Sequence, residues 1–227
     1  MAIVSVEQLT KDYKQGTHVV HALAGIDVEI ESGEFTALMG PSGSGKTTLL
    51  NLIGGLDAPT GGKVVVDGKD LATMGGGGRS RIRLNHLGFV FQAYNLIPVL
   101  SAYENAEFVL LLQGVPAAER KEKVMQVLAD VGLKGMEKRR PHELSGGQQQ
   151  RVAVARAIVS SPALVLADEP TANLDSTTGN DLLDTMKRLN EERGVTFLFA
   201  THDPKVMERA KRVVRLVDGK VWEDIRK

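Results

Sequence analysis

Directly after the apolar run FTALM, residues Gly40 to Thr48 read GPSGSGKTT, a lysine and two threonines spaced among three glycines. Glycine lets a backbone curl tightly, so successive amide N–H groups can face one centre, and a helix starting there adds the positive end of its dipole. The pattern matches G-x-x-x-x-G-K-[ST] between a predicted strand and a predicted helix, the setting in which such a loop wraps a polyphosphate rather than forming an ordinary glycine-rich turn. Gly40, Pro41, Ser42, Gly43, Ser44, Gly45 and Thr48 then shape the cradle. Lys46 brings a point charge to the outer phosphates, and the Thr47 hydroxyl faces Mg2+.

Phosphoryl chemistry also needs an oxygen ligand for the metal and a proton acceptor for water. LVLADEP, Leu164 to Pro170, ends an apolar strand in two acids and stops it with a proline. Asp168 is the metal-side carboxylate and Glu169 the general base in this reading. A third segment, HELSGGQQQRVAVARA, starts a helix with Ser145 and, three residues on, Gln148, a capping-box spelling. It then gives its first turn to Gly146 and Gly147, each costing roughly 1 kcal/mol against alanine. Side-chain-free N–H groups at a helix start suit an anion, so Ser145, Gly146, Gly147 and Gln148 read as a second phosphate-binding tip. The alternative is a capped helix whose glycines answer tight packing.

In this order and spacing, GPSGSGKTT, LSGGQQQR, LADEPTANLD and ATHD resemble the nucleotide-binding subunits of ATP-binding cassette transporters, over essentially the whole chain. The resemblance implies ATP as ligand with Mg2+, and a head-to-tail homodimer with ATP between the lysine loop of one copy and the LSGGQ of the other. It implies that Tyr13 stacks on adenine, that Gln92 reaches Mg2+ and the attacking water while linking to a membrane partner, and that His202 contacts the γ-phosphate. The resemblance also implies that Asp175 in ANLD falls in the loop that couples the two sites across the dimer. His18, His21, His86 and His142 match no role and are expected to be solvated. VFQAYNLIPVLSAYENAE and THDPKVMERAKRVVRLVDGKV are similar to a group that includes lipoprotein-releasing, macrolide-exporting and cell-division ATPases. Their partners are integral, permease-type membrane subunits. A regulatory ATPase of the cell-division type, signalling without moving substrate, is the alternative function. A cassette protein acting on DNA or ribosomes would carry long insertions, and a P-loop GTPase would carry Asn-Lys-x-Asp; neither feature is present.

The elements that must position these residues follow from periodicity. IVSVEQL and IDVEI alternate, KVVVDGKDL turns at Asp67-Gly68, and a helix after the lysine loop carries Leu49, Leu52, Ile53 and Leu56 inward. Helices over Ala102 to Gln113 and Ala117 to Val131 follow, the second packing Val124, Val127, Leu128 and Val131. ALVLA, a helix with Leu182, Leu183, Met186 and Leu189, and TFLFA alternate strand with helix, so the sheet is mainly parallel. A hairpin closes the chain at Asp218-Gly219. The expected class is α/β: a P-loop NTPase core with a mainly parallel sheet, an N-terminal antiparallel β subdomain and an inserted α-helical subdomain. The expected organisation is one nucleotide-binding domain over residues 1–227, with the helical subdomain over about residues 93–160. Gly75 to Gly78, GGGG, reads as a flexible connector, against any helix from Ala72 to Ser80.

Composition sets the bounds. Lys plus Arg and Asp plus Glu each number 28, which leaves no global field to attract nucleic acid. Unbroken apolar runs such as Phe108 to Leu112 fall far short of the ~20 residues a bilayer span needs. The sequence lacks a basic secretory start and any cysteine, which fits a soluble cytosolic chain, peripheral on the cytoplasmic face of the inner or plasma membrane through its partner.

Overall fold

The computed structural model describes residues 2–227, and it places the two sheets that the alternation called for. Strands β1 (Ala2–Gln15), β2 (His18–Glu31), β4 (Gly61–Val66) and β5 (Lys69–Asp70) form an antiparallel sheet in the order β2-β1-β4-β5. The other sheet takes β3 (Phe35–Met39), β6 (Leu87–Phe91), β7 (Leu164–Asp168), β8 (Phe197–Ala200), β9 (Arg212–Val217) and β10 (Lys220–Arg226), ordered β10-β9-β3-β8-β7-β6. Its β3, β6, β7, β8 and β9 pair in parallel, and β10 returns antiparallel to β9 through the Asp218-Gly219 turn. This is a P-loop NTPase architecture.

Both faces of the parallel sheet are covered, and the strand period of two sorts the side chains between two cores. Phe35, Ala37, Val165, Ala167, Phe197, Phe199 and Val213 point into one; Leu38, Leu164, Leu166, Leu198, Ala200, Val214 and Leu216 into the other. The first core is closed by helices α3 (Ala102–Leu112), α4 (Ala117–Asp130), α5 (Gly146–Ile158) and α6 (Ser176–Arg193). The second is closed by α1 (Lys46–Ile53) and the antiparallel sheet. Val124, Val127, Leu128 and Val131 are buried, as are Leu182, Leu183, Met186 and Leu189.

Three sequence expectations are corrected. The GGGG tract is the start of helix α2 (Gly76–His86), with Gly75 at its N-cap, and Ile82 is its one buried residue among the described residues. Two local side-chain hydrogen bonds and one tertiary one hold it. Arg79 donates to the Met74 carbonyl at 2.9 Å, and Arg83 to the Gly55 carbonyl at 2.6 Å and to Ser80 Oγ at 2.8 Å. Such contacts override the weak intrinsic helicity of glycine. Leu56 does not share the buried face of α1, because that helix stops at its Gly54 C-cap and Leu56 lies exposed beyond it. His86 is not merely solvated: its Nδ1 lies 2.6 Å from Asp67 Oδ2 and its Nε2 accepts from Lys69 Nζ at 3.1 Å.

Candidate functional site

The Gly40 to Thr48 loop joins the buried strand β3 to α1 with unusual economy of space. A Cβ on Gly40 would sit 2.2 Å from the Leu216 carbonyl oxygen, and one on Gly45 2.7 Å from the Ala22 carbonyl oxygen. Gly45 also needs its left-handed backbone, φ 98°, to start α1. No side chain caps that start, so its orphan N–H groups remain available to an anion. Lys46 folds back over the loop and donates to the carbonyls of Gly40 at 2.7 Å and Pro41 at 2.9 Å. Ser44 Oγ, buried in the same loop, has no hydrogen-bond partner among the described residues.

A cleft of about 750 Å³ opens over this loop, and Pro41 to Thr48, Tyr13, Gln92, Glu169 and His202 stand on its wall. Gly40 and Asp168 lie just behind it; Thr47 Oγ1 is 3.3 Å from Asp168 Oδ1. Burial pushes the Asp168 carboxyl above its ordinary value, the neighbouring Glu169 charge adds to this, and the Thr47 hydrogen bond and Lys46 oppose it. A cation beside Asp168 would relieve that cost. Among the described residues no group of three or more His, Cys, Asp or Glu could form a metal cage. One carboxylate, one hydroxyl and the nearby Gln92 amide nonetheless suit Mg2+, which takes one or two carboxylates and fills its remaining positions with water and substrate phosphate oxygens.

Glu169 follows β7 with φ 44°, a left-handed conformation that costs a glutamate on the order of 1–3 kcal/mol. Its carboxylate is tightly held. Thr201 Oγ1 donates to Oε2 at 2.8 Å, and the His202 amide and ring Nδ1 approach Oε1 at 3.2 and 2.6 Å. Tyr13 stands at the mouth of the cleft, half-exposed.

The LSGGQ segment lies apart from this cleft, which none of Ser145, Gly146, Gly147 and Gln148 lines. Its capping box is complete: Ser145 Oγ accepts from the Gln148 amide at 3.3 Å, and Gln148 Oε1 accepts from the Ser145 amide at 3.0 Å. The glycines are also packed, since a Cβ on Gly147 would lie 2.2 Å from Thr178 Cγ2 and one on Gly146 2.8 Å from the Tyr94 hydroxyl. Asp175 caps α6, accepting from the amides of Thr177 and Thr178 at 3.0 Å.

Two side chains without a role in the sequence reading tie these pieces together. Gln150, fully buried in α5, donates its amide to the Phe91 carbonyl at 3.2 Å and the Pro170 carbonyl at 2.7 Å, the residues next to Gln92 and Glu169. The available signal was a polar residue three after Gly147 and four before Val154, on a buried helix stripe. Asn173 grips Gln92 reciprocally, accepting from its side-chain amide at 3.3 Å and donating to its carbonyl at 3.0 Å. No pattern in the sequence signals that contact.

A glycine cradle with an inward lysine, a strand-end acid pair and an α/β core between two covered faces define a P-loop nucleoside triphosphatase. The sequence model of the family described as ABC transporter matches residues 23–172. The chain is 47% identical to the lipoprotein-releasing system ATP-binding protein LolD of Anaeromyxobacter dehalogenans, over 97% of this chain and 93% of that one. It is 42% identical to the macrolide export ATP-binding/permease protein MacB of Brucella melitensis, over 99% of this chain but 35% of that longer one. Among solved structures it is similar to a dimeric, post-hydrolysis state of the ATP-binding cassette MJ0796 bound to ADP and Pi, with TM-score 0.90, 41% identity and 98% of each chain covered. The chain belongs to the ABC transporter family. It is an ATP hydrolase that works with Mg2+ and powers a membrane complex. Among the described residues no helix is long and apolar enough to cross a membrane.

Proposed function

We propose that this chain drives a lipoprotein-releasing or export-type complex from the cytoplasmic face of the membrane, as two copies arranged head to tail beside a permease-type subunit. The observation that carries the proposal is the separation just described: one chain holds a phosphate cradle with its catalytic wall, and a second glycine-bearing helix tip that does not reach it. Two copies would bring each tip to the other's cradle. The relatives support the setting, one named as part of a lipoprotein-releasing system and another fused to a permease. The whole chain then acts as one nucleotide-binding domain, with residues of about 93–160 as its helical subdomain.

In this reading Lys46 and the loop amides hold the phosphates, and Thr47, Asp168 and Gln92 hold Mg2+. The ion, when bound, neutralises charge on the transferring phosphoryl group. Tyr13 supports the base. Glu169 takes the proton of the attacking water at a carboxylate oxygen. Its Oε2 is fixed by Thr201, so movement of the exposed His202 off Oε1 toward the γ-phosphate frees the other oxygen for that proton. The second copy's Ser145, Gly146 and Gly147 complete the grip, and Asp175 orders α6 beside that tip. Asn173 sets the direction of Gln92, and Gln150 holds both loops to α5.

Glu169→Gln tests the assignment. The variant should bind ATP, accumulate as a dimer and lose turnover by about 10²–10⁴-fold. Phosphate release at the native rate would remove Glu169 from the role. Purifying the chain with its membrane partner and supplying ATP should release a lipid-linked or small-molecule cargo; ATP turnover with no cargo movement would favour the signalling alternative.

A further inference from the structure

Tyr13 is anchored more firmly than a half-exposed aromatic at a cleft mouth requires. Its hydroxyl donates to Asp57 Oδ2 at 2.9 Å, and Asp57 belongs to the loop leaving the C-terminal end of α1. The other oxygen of Asp57 accepts from Lys11 Nζ at 2.8 Å and from the Ala58 amide at 2.6 Å. Lys11 donates as well to the Ala58 carbonyl at 2.7 Å, and its ammonium stands over the Tyr13 ring, 4.8 Å from the centroid. Burial works against the charge on Asp57, yet the hydrogen bonds from Lys11, the Ala58 amide and Tyr13 outweigh it and hold the carboxyl below its ordinary value. The Thr48 side chain, at the end of the cradle, is a further hydrogen-bond neighbour of the Tyr13 hydroxyl.

The consequence is a ring with few degrees of freedom. A tyrosine side chain turns about two torsions: the Asp57 hydrogen bond fixes the hydroxyl end and so the first, and the Lys11 ammonium over one ring face restrains the second. The ammonium occupies one face of the ring by cation–π attraction, which leaves the opposite face for an aromatic ligand. We propose that Asp57 and Lys11 are positioning residues for the nucleotide base: they hold the Tyr13 ring at the cleft mouth with one face blocked, so that a purine is received on a single, pre-set face. This rests on the reading of Tyr13 as the base platform. Pre-setting the ring removes an ordering cost that binding would otherwise carry, so the effect belongs to base affinity and not to chemistry.

The test compares ATP with inorganic tripolyphosphate, which has the phosphates and no base, in the full-length protein and in Tyr13→Ala, Tyr13→Phe, Asp57→Ala and Lys11→Met. Tyr13→Ala should weaken ATP by about tenfold, in keeping with the loss of one stacking contact, with tripolyphosphate affinity unchanged. Tyr13→Phe, Asp57→Ala and Lys11→Met should each raise KM for ATP about threefold to tenfold, keep kcat at saturating ATP, and leave tripolyphosphate binding as it was. If Tyr13→Ala loses ATP affinity while Asp57→Ala and Tyr13→Phe match the native protein, the anchor has no positioning role and the platform reading stands. If Tyr13→Ala binds ATP normally, the platform reading itself fails. A loss of tripolyphosphate binding in Asp57→Ala equal to its loss of ATP binding would mark a collapse of the loop and overturn the proposal.

Discussion

Helices α1 and α5 both begin with glycine beside a hydroxyl residue, yet their first turns are built in opposite ways. At α1 the N-cap is Gly45, no side chain caps the helix, and the glycines are squeezed by backbone carbonyls of β9 and β2. At α5 Ser145 and Gln148 close a full capping box, and Gly147 is pressed by a methyl group of α6. The first arrangement leaves donors with no side chain among the described residues to cap them, so its ligand is implied within one copy. The second is already partly satisfied, and it needs a partner surface to become a site. A helix start that looks costly in sequence can thus have two causes at once, anion binding and close packing, and only the first implies function.

The sharpest break between the two ends should come from the lysine. Lys46→Ala removes a charged donor from the cradle and should weaken ATP binding to isolated chains by about 10–100-fold, measured by calorimetry. Ser145→Ala should leave that affinity native and lower turnover. Equal losses of binding in both variants would mean that one chain uses both ends.

Gly147→Ala comes next, since its new Cβ meets Thr178 Cγ2 at 2.2 Å. It should destabilise the fold by about 1–3 kcal/mol in urea denaturation. Adding Thr178→Ser deletes the offending methyl and should restore stability but not ATP turnover, if Gly147 also leaves room for phosphate. Recovery of both would reduce that glycine to packing alone. For Ser145→Ala, loss of the cap should cost about 1 kcal/mol, while a Gly45 N-cap has no such side-chain bond to lose.

The smallest effect concerns the hairpin that supports only the α1 end, where the Gly219 amide donates to the Ser44 carbonyl at 3.2 Å. Within it Arg212 pairs with Asp224 at 2.7 Å and with Glu34 at 3.1 Å. The Arg212 hydrogen bonds hold the Asp224 carboxyl below its ordinary value, against the effect of burial. A depressed folded-state pKa gives stability that is present above the unfolded value, about 3.9, and is lost as pH falls through the folded one. Asp224→Asn should therefore lower the urea midpoint more at pH 7 than at pH 3, where part of that contribution is already lost. An equal cost at both would deny the ion pair a role.

Much of this contrast could be read from the chain. The cradle, the strand ending in Asp168 and Glu169, and the alternation of Leu164 to Ala167 are local patterns, set by backbone geometry and a period of two. The sequence raises tight packing of Gly147 as an alternative but leaves it open, because the deciding methyl belongs to Thr178, far off in sequence. Helix α2 is hidden for a similar reason: Gly76 to Gly78 carry no helical preference, and the bond that ties the helix to the rest of the fold, Arg83 to the Gly55 carbonyl, is distant in sequence. Gln150 shows in the sequence only as a polar residue on a buried helix stripe, and its partners, the Phe91 and Pro170 carbonyls, leave no trace in residue spacing, nor does the grip of Asn173 on Gln92.

The chain contains no cysteine, so one introduced pair is the sole thiol pair available. Ser42→Cys and Gln148→Cys, placed together in a Glu169→Gln background and oxidised mildly with Mg2+ and ATP, ask whether the cradle of one copy meets the α5 tip of another. A covalent dimer that forms with ATP and fails to form without nucleotide is the predicted result. A crosslink confined to single chains, or a dimer yield indifferent to ATP, would contradict a site shared between two copies.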